Sequence, residues 1–293
     1  MANKTISAST AKTYASCINK LYTAGFKDDD FKNNPTTIAE WIVKHASPTN
    51  NPGSIISNLC AASYKSKSLG TTTDVYKKHI DSLRESKEDK QISQTLAEPR
   101  SDKFLEWPEV LKLHDKAKET LTSENYVLYC LYTLQPPVRA DYFDMRVMSF
   151  NHWRKLPEDS TKDINALLYV DDYEPICFIF NTYKTSATYG MLTFHIEKQL
   201  ATILQQYLQE TKPKLLDRLL PTINSQNTLV VRIKRIFKKL ANKEMSIGLL
   251  RHSFIQNFLS TKRTIREKVQ VAQRMMHSTN MQERYDILES NEN

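Results

Sequence analysis

The spacing of hydrophobic residues changes in one part of this chain, and that change restricts the fold class more than any other feature. On both sides of the middle region, apolar residues recur three or four positions apart, as on the buried face of a helix. The middle region, ALLYVDD and then EPICFIFNTYKTSATYGMLTFHI, is rich in β-branched and aromatic residues and contains two predicted strands, Ile176 to Thr182 and Tyr189 to Ile196. We therefore predict a mainly α-helical fold with a small antiparallel β-sheet.

The length of the chain indicates two domains, because 293 residues exceed the roughly 100 to 200 that are typical of one domain. Only five glycines are present, which argues against a loop-rich or Rossmann-type architecture. Residues 1–88 have the pattern of a helical bundle. A charged, aperiodic segment predicts a linker at 89–103, followed by a second domain at 104–293; a long surface loop within one domain is the alternative.

Charge and cysteine content narrow the function classes. Lysine and arginine outnumber aspartate and glutamate by 41 to 33, an excess that is compatible with a polyanionic partner. The four cysteines are widely spaced and form no C-x-x-C pair, so neither a zinc site nor a disulfide framework is predicted. No apolar run approaches the roughly 18 residues that a membrane helix needs. These features predict a reduced, intracellular protein with no metal and no membrane segment.

Five residues stand out for their position as well as their type. They are Arg139, Lys184, Arg251, His277 and Tyr285. Arg139 directly follows a proline break, and Lys184 lies in the turn between the two predicted strands. Arg251 flanks the apolar stripe of the predicted helix SIGLLRHSFIQNFL, and a half-buried guanidinium needs an anionic partner. That partner is either a carboxylate of the same chain or an oxyanion that arrives with a ligand.

Each of these residues also has an ordinary structural interpretation. Arg139 could pair with Asp141 or Asp144, and a lysine at a hairpin tip is usually only solvated. His277 could be favoured by the dipole at a helix C-terminus. Tyr285 could be an amphipathic surface residue, since the chain contains fourteen tyrosines.

In this order and with these surroundings, the five residues resemble the active site of the tyrosine recombinase family of integrases. That site contains Arg, Lys, His-x-x-Arg, His or Trp, and Tyr; the matching segments are LYTLQPPVRADYFDM, FNTYKTSATYG, LLRHSF and MMHSTNMQERY. The resemblance covers nearly the whole chain, because the helical front part is similar to the family's core-binding domain. It implies an integrase of a virus or other mobile element, acting inside the cell as a homotetramer on synapsed duplex DNA, with no metal or cofactor.

The resemblance also implies a role for each residue. Arg139 and Arg251 would bind the non-bridging oxygens of the scissile phosphate, because guanidinium groups offer paired donors. Tyr285 would attack phosphorus and form a 3′-phosphotyrosyl intermediate. Lys184 would protonate the leaving 5′ oxygen, and His277 would hydrogen-bond the phosphate.

One departure from the family motif keeps two other functions open. Gly248 stands where the family has the histidine of His-x-x-Arg, and it cannot assist proton transfer from the tyrosine. His252 projects about 100° away around the helix, whereas Lys243 could reach the site from the preceding turn. The alternatives are DNA relaxation by an enzyme similar to type IB topoisomerases, and a recombinase-derived protein that binds DNA without cleaving it.

Basic residues outside the active site are candidates for DNA contacts. In VRIKRIFKKLANK, Arg232, Arg235 and Lys239 share one helical face that could follow DNA phosphates. The alternative is the solvated face of an ordinary amphipathic helix. Lys65 and Lys67 of the front domain are candidates for contacts on the other side of the duplex.

Overall fold

The computed structural model describes residues 6–45, 51–96 and 102–277. The chain divides into two compact units, residues 1–97 and 98–293, and each contains its own hydrophobic cluster. In the described residues the fold is mainly α-helical with a small four-stranded sheet, which confirms the predicted fold class. None of the helices in this part of the chain is both long enough and apolar enough to cross a membrane.

The first unit is a helical bundle. The helices in its described part are α1 (Ala8–Thr23), α2 (Asp28–Asn33), α3 (Pro35–His45), α4 (Pro52–Ser68) and α5 (Asp74–Leu96). Side-chain caps set two of the starts, since Ser7 accepts a hydrogen bond from the Thr10 amide and Asn51 accepts one from Gly53. The core of the bundle contains the fully buried side chains Leu21, Phe31, Ile38, Ile42, Leu59 and Tyr76.

Helix α5 continues through the first half of the predicted linker. We predicted a linker at residues 89–103 from charge and lack of apolar periodicity, but residues 89–96 are helical. Glutamate, lysine and glutamine favour helices, so a helix can continue here without an apolar stripe. The boundary between the two units lies between Ala97 and Glu98.

The second unit combines helices with the sheet. Its helices in the described residues are α6 (Trp107–Lys112), α7 (His114–Thr120), α8 (Ser123–Thr133), α9 (Phe150–Trp153), α10 (Glu158–Thr161), α11 (Ser186–Tyr189), α12 (Lys198–Thr211), α13 (Gln226–Ala241), α14 (Ile247–Leu259) and α15 (Ile265–Arg274). The strands are β1 (Arg146–Ser149), β2 (Ala166–Tyr169), β3 (Pro175–Phe180) and β4 (Leu192–His195), in that spatial order.

The sheet is mixed rather than purely antiparallel. The pairs β2–β3 and β3–β4 are antiparallel, and β3 and β4 correspond to the two predicted strands. Strand β1, which was not predicted, pairs in parallel with β2. A parallel pair needs a crossover connection, and here the connection passes through α9 and α10.

Helix α8 lies at the centre of the second unit. Every side chain from Val127 to Thr133 is buried, and the helix packs against α12 and α13. Helix α14 packs against α6 and α13. The proline break therefore follows directly on the most buried helix, and the packing holds the chain that carries Arg139.

Candidate active site

Two of the predicted site residues, Arg139 and Arg251, meet at the C-terminal end of α15. The Nη1 atom of Arg139 donates to the carbonyl oxygen of Met276 at 2.8 Å. The Nη1 atom of Arg251 donates to the carbonyl oxygens of Met275, at 3.0 Å, and Pro137, at 2.7 Å. Both arginines are half-buried. The fold thus brings the proline break, α14 and the end of α15 to one place.

The backbone turns sharply where α15 ends. Met276 adopts the left-handed conformation, with φ of 55°, and the amide of His277 donates to the carbonyl of Ala272 at 3.1 Å. This is the hydrogen-bond pattern of a Schellman helix end. The carbonyls of Met275 and Met276 lie just past the last helical residue and have no acceptor role within the helix, so guanidinium groups can be their donors. His277 follows directly and is only 5% exposed.

The loop that carries Lys184 reaches the same carbonyl group. Thr185 Oγ1 donates to the Met276 oxygen at 3.3 Å, so this oxygen accepts bonds from both Thr185 and Arg139. Lys184 is exposed and lies in the connection between β3 and β4, as predicted. Sequence reasoning did not single out Thr185, and its position next to Lys184 is the signal that could have found it.

The structure brings three of the five predicted residues together, and it brings the loop of a fourth, Lys184, to the same place. Arg139, Arg251 and His277 lie at the end of α15, and the loop of Lys184 contacts it through Thr185. The remaining residue, Tyr285, lies outside the described residues.

Asp141 and Asp144, the two carboxylates predicted as possible partners of Arg139, differ in burial and in ion pairing. Asp144 pairs with Arg146 at 2.7 Å and with Arg218 at 2.9 Å. Asp141 is 6% exposed, and burial raises the pKa of its carboxyl group, while the positive charges of Arg139 and Arg251 act in the opposite direction. Asp141 is therefore a buried counter-charge near both arginines, and desolvation dominates its titration.

The raised pKa of Asp141 predicts a pH dependence of stability. In the folded protein this carboxyl group holds its proton to higher pH than in the unfolded chain, where its pKa is about 3.9. The folded state therefore binds more protons, and stability falls as the pH rises from about 4 through the folded pKa. We expect Asp141→Asn to melt at a higher temperature than the wild type at pH 7 and to show a weaker pH dependence.

Thermal melts at several pH values test this expectation, with Asp144→Asn as the control. That change removes a carboxylate from two ion pairs, so it should lower the melting temperature. A melting temperature of Asp141→Asn below that of the wild type at pH 7 would show that attraction to the arginines outweighs desolvation.

Gly248 stands where the family motif has a histidine, and the structure shows the surroundings of this position and of the two nearby candidates, His252 and Lys243. Gly248 is exposed in the first turn of α14, and a Cβ atom built there would meet the Ser246 hydroxyl at an ordinary 3.7 Å. The ring of His252 packs edge-on against Phe104, with 6.3 Å between ring centroids, and burial lowers the pKa of His252. Lys243 Nζ donates to the Phe104 carbonyl at 2.7 Å. The α14 backbone thus has space for a side chain at 248, while His252 and Lys243 both contact Phe104.

The basic residues of α13 divide into two groups. Arg232 donates to Asn125 Oδ1 at 3.0 Å, and Lys239 Nζ donates to the Thr120 carbonyl at 2.5 Å, so both contact the α7–α8 region. Arg235 is exposed. These contacts favour a structural role for the half-buried Arg232, whereas Lys239 is exposed like Arg235, and both stay candidates for contact with DNA.

The two lysines of the first unit also differ. Lys65 Nζ lies 3.0 Å from an Asp28 oxygen and 5.9 Å from the centre of the Tyr22 ring. Lys67 is exposed near the end of α4. Lys67 is therefore the better candidate of the two for a phosphate contact.

Comparison with known proteins finds similarity to solved structures but no matching family. No family model matches the sequence, and no curated protein matches it. The chain is similar to the crystal structure of XerA recombinase, with 16% identity and a TM-score of 0.42 over 96% of this chain and 87% of that one. At these values the similarity assigns no family.

Proposed function

We propose that this protein is a site-specific DNA recombinase that cleaves and rejoins duplex DNA through a covalent bond to Tyr285. One observation carries the proposal: Arg139 and Arg251 donate to the adjacent carbonyls of Met276 and Met275. Their guanidinium groups therefore concentrate positive charge in one small region. Paired guanidinium groups match the non-bridging oxygens of a phosphodiester in both charge and geometry.

The carbonyl contacts are compatible with phosphate binding. A guanidinium has five N–H donors in a rigid plane, so Nη1 can hold a carbonyl while other donors face a phosphate. The backbone contacts then fix the direction of each guanidinium before the substrate arrives. Donors that are oriented in advance need little reorganisation when charge develops in the transition state.

The chemistry is a transesterification that conserves the number of phosphoester bonds. The Tyr285 hydroxyl loses its proton to solvent water, and its oxygen forms a bond to phosphorus while the bond from phosphorus to the 5′ oxygen breaks. Lys184 transfers a proton to that leaving oxygen and becomes a neutral amine, and His277 hydrogen-bonds the phosphate. The products are a 3′-phosphotyrosyl linkage and a free 5′ hydroxyl, and the reverse reaction rejoins a strand. The resemblance in sequence further suggests a homotetramer on two synapsed sites.

The experiment that tests this function compares wild type with Tyr285→Phe on nicked duplex DNA in EDTA. A randomised library of duplexes removes the need to know the target site. The nick traps the intermediate, because the short fragment that carries the new 5′ hydroxyl dissociates and cannot rejoin. We expect a slowly migrating covalent band on a denaturing gel for the wild type and none for Tyr285→Phe. Gel-shift assays should show that both proteins bind the DNA equally.

Other outcomes would assign a different function. No adduct with either protein, on DNA that both bind, would indicate a DNA-binding protein that does not cleave. A band that persists in Tyr285→Phe would place the nucleophile elsewhere. Relaxation of supercoiled plasmid without a preferred site would favour the topoisomerase-like activity.

A further inference from the structure

A buried asparagine fixes the start of the loop that carries Lys184. Asn165 directly precedes β2 and is 4% exposed. Its Oδ1 atom accepts hydrogen bonds from the amides of Asn181, at 2.8 Å, and Thr182, at 2.9 Å. Its Nδ2 atom donates to the Thr182 carbonyl at 2.8 Å. One side chain thus hydrogen-bonds both amide and carbonyl groups of the residues that follow β3.

These bonds continue the sheet beyond its last paired residues. The β2–β3 ladder reaches the pair Ala166–Ile179, and the Asn165 side chain takes over where strand pairing stops. The backbone of Asn165 is itself tied to β1, because the Arg146 amide donates to its carbonyl at 2.8 Å. A buried polar network of this kind, with its partners satisfied, holds a local structure rigid.

A second asparagine holds the same junction from the other side. Asn181 Nδ2 donates to the carbonyls of Thr161, at 3.0 Å, and Ile164, at 2.8 Å. The junction after β3 is therefore bonded to both the backbone before β2 and the end of α10. Lys184 is only two positions after Thr182 in the chain.

We propose that Asn165 is a positioning residue that holds the Lys184 loop so that the lysine can protonate the leaving 5′ oxygen. The inference rests on the proposed function. The loop is anchored at two points: Asn165 binds Thr182 on one side of Lys184, and Thr185 on the other side binds the Met276 carbonyl beside Arg139. A lysine side chain is long and flexible and does not by itself fix the place of its ammonium group. An anchored backbone narrows the region that this group can reach.

The test uses two nicked duplexes that differ at the bridging 5′ atom, which is oxygen in one and sulfur in the other. A thiol, with a pKa of about 8.5, is far more acidic than an alcohol, so a sulfur leaving group departs without protonation. We expect Asn165→Ala to form the adduct about 10- to 100-fold more slowly than wild type on the oxygen substrate, since general acid catalysis contributes roughly 10²- to 10⁴-fold. On the sulfur substrate it should react at close to the wild-type rate.

The control is Tyr207→Phe, which removes a buried hydrogen bond to the Leu219 carbonyl in the same unit. It should leave the ratio of the two rates unchanged. If melting shows that Asn165→Ala does not fold, Asn165→Asp takes its place, because a carboxylate keeps the acceptor for the Asn181 and Thr182 amides and removes the donor to the Thr182 carbonyl. The same selective loss on the oxygen substrate is expected of it.

Each result decides the matter. An equal loss on both substrates, or no loss on the oxygen substrate, would overturn the positioning role. An adduct absent in the wild type on both substrates would overturn the proposed function and this inference with it. A selective loss on oxygen, with the rate restored by sulfur, supports both.

Discussion

Arg251→Ala should slow formation of the covalent adduct by about 10²- to 10³-fold, the loss that follows removal of one preorganised donor to a developing oxyanion. Duplex binding should weaken only modestly, because most of the affinity comes from many phosphate contacts. Arg251→Lys keeps the charge without the planar pair of donors, so it should recover only part of the rate. The measurement is the rate of adduct formation on nicked duplex, with gel shifts for binding.

A structural effect of the same substitution must be separated from the catalytic one. Removing Arg251 takes a donor from the Pro137 and Met275 carbonyls, which costs about 1 to 3 kcal/mol of folding free energy where those groups are buried. Arg218→Ala is the matched control, because Arg218 is also half-buried and pairs with Asp144 at 2.9 Å. It should melt earlier but form the adduct normally. Parallel losses of folding, binding and cleavage in Arg251→Ala would identify Arg251 as a purely structural residue.

Lys184→Ala should slow cleavage of the ordinary oxygen substrate by roughly 10²- to 10⁴-fold, the usual contribution of a general acid. Lys184 is exposed, so the melting temperature should change little. The 5′-sulfur substrate should restore most of the rate, because its leaving group needs no proton. Adduct formation on both substrates, measured under single-turnover conditions, gives the comparison.

Lys198→Ala is the control for the loss of a positive charge. Lys198 is an exposed lysine at the start of α12, so its removal lowers the net charge equally. Both substrates should react with it at the wild-type rate. A Lys184→Ala protein that loses the same factor on oxygen and on sulfur would place the lysine in phosphate binding instead of proton transfer.

Sequence periodicity predicted the elements that surround the site because each of them has a strong local pattern. The apolar run of α14 and the β-rich segments of β3 and β4 are all present in the structure. Strand β1 could not be predicted, because its four residues show no alternation and its pairing with β2 depends on a crossover. Helix α5 extends further than predicted, because charged residues that favour helices need no apolar stripe.

The partners of the charged residues were beyond prediction from the sequence. Asp141 and Asp144 were equal candidates to pair with Arg139, and only the tertiary structure showed Asp144 bound to Arg146 and Arg218. Asn165 has no motif that distinguishes it from other asparagines. Its role at the Lys184 loop depends on a hydrogen bond to Thr182, seventeen positions further along the chain.

By itself, the sequence determined the mainly helical class, the position of the small sheet and the types and order of the candidate residues. These are local properties, since hydrophobic period and turn residues act over a few positions. The tertiary structure alone decided that Arg139 and Arg251 donate to consecutive carbonyls at the end of α15. That meeting depends on how α8, α14 and α15 pack within one unit, and packing over such sequence distances is set by the whole core rather than by any one segment.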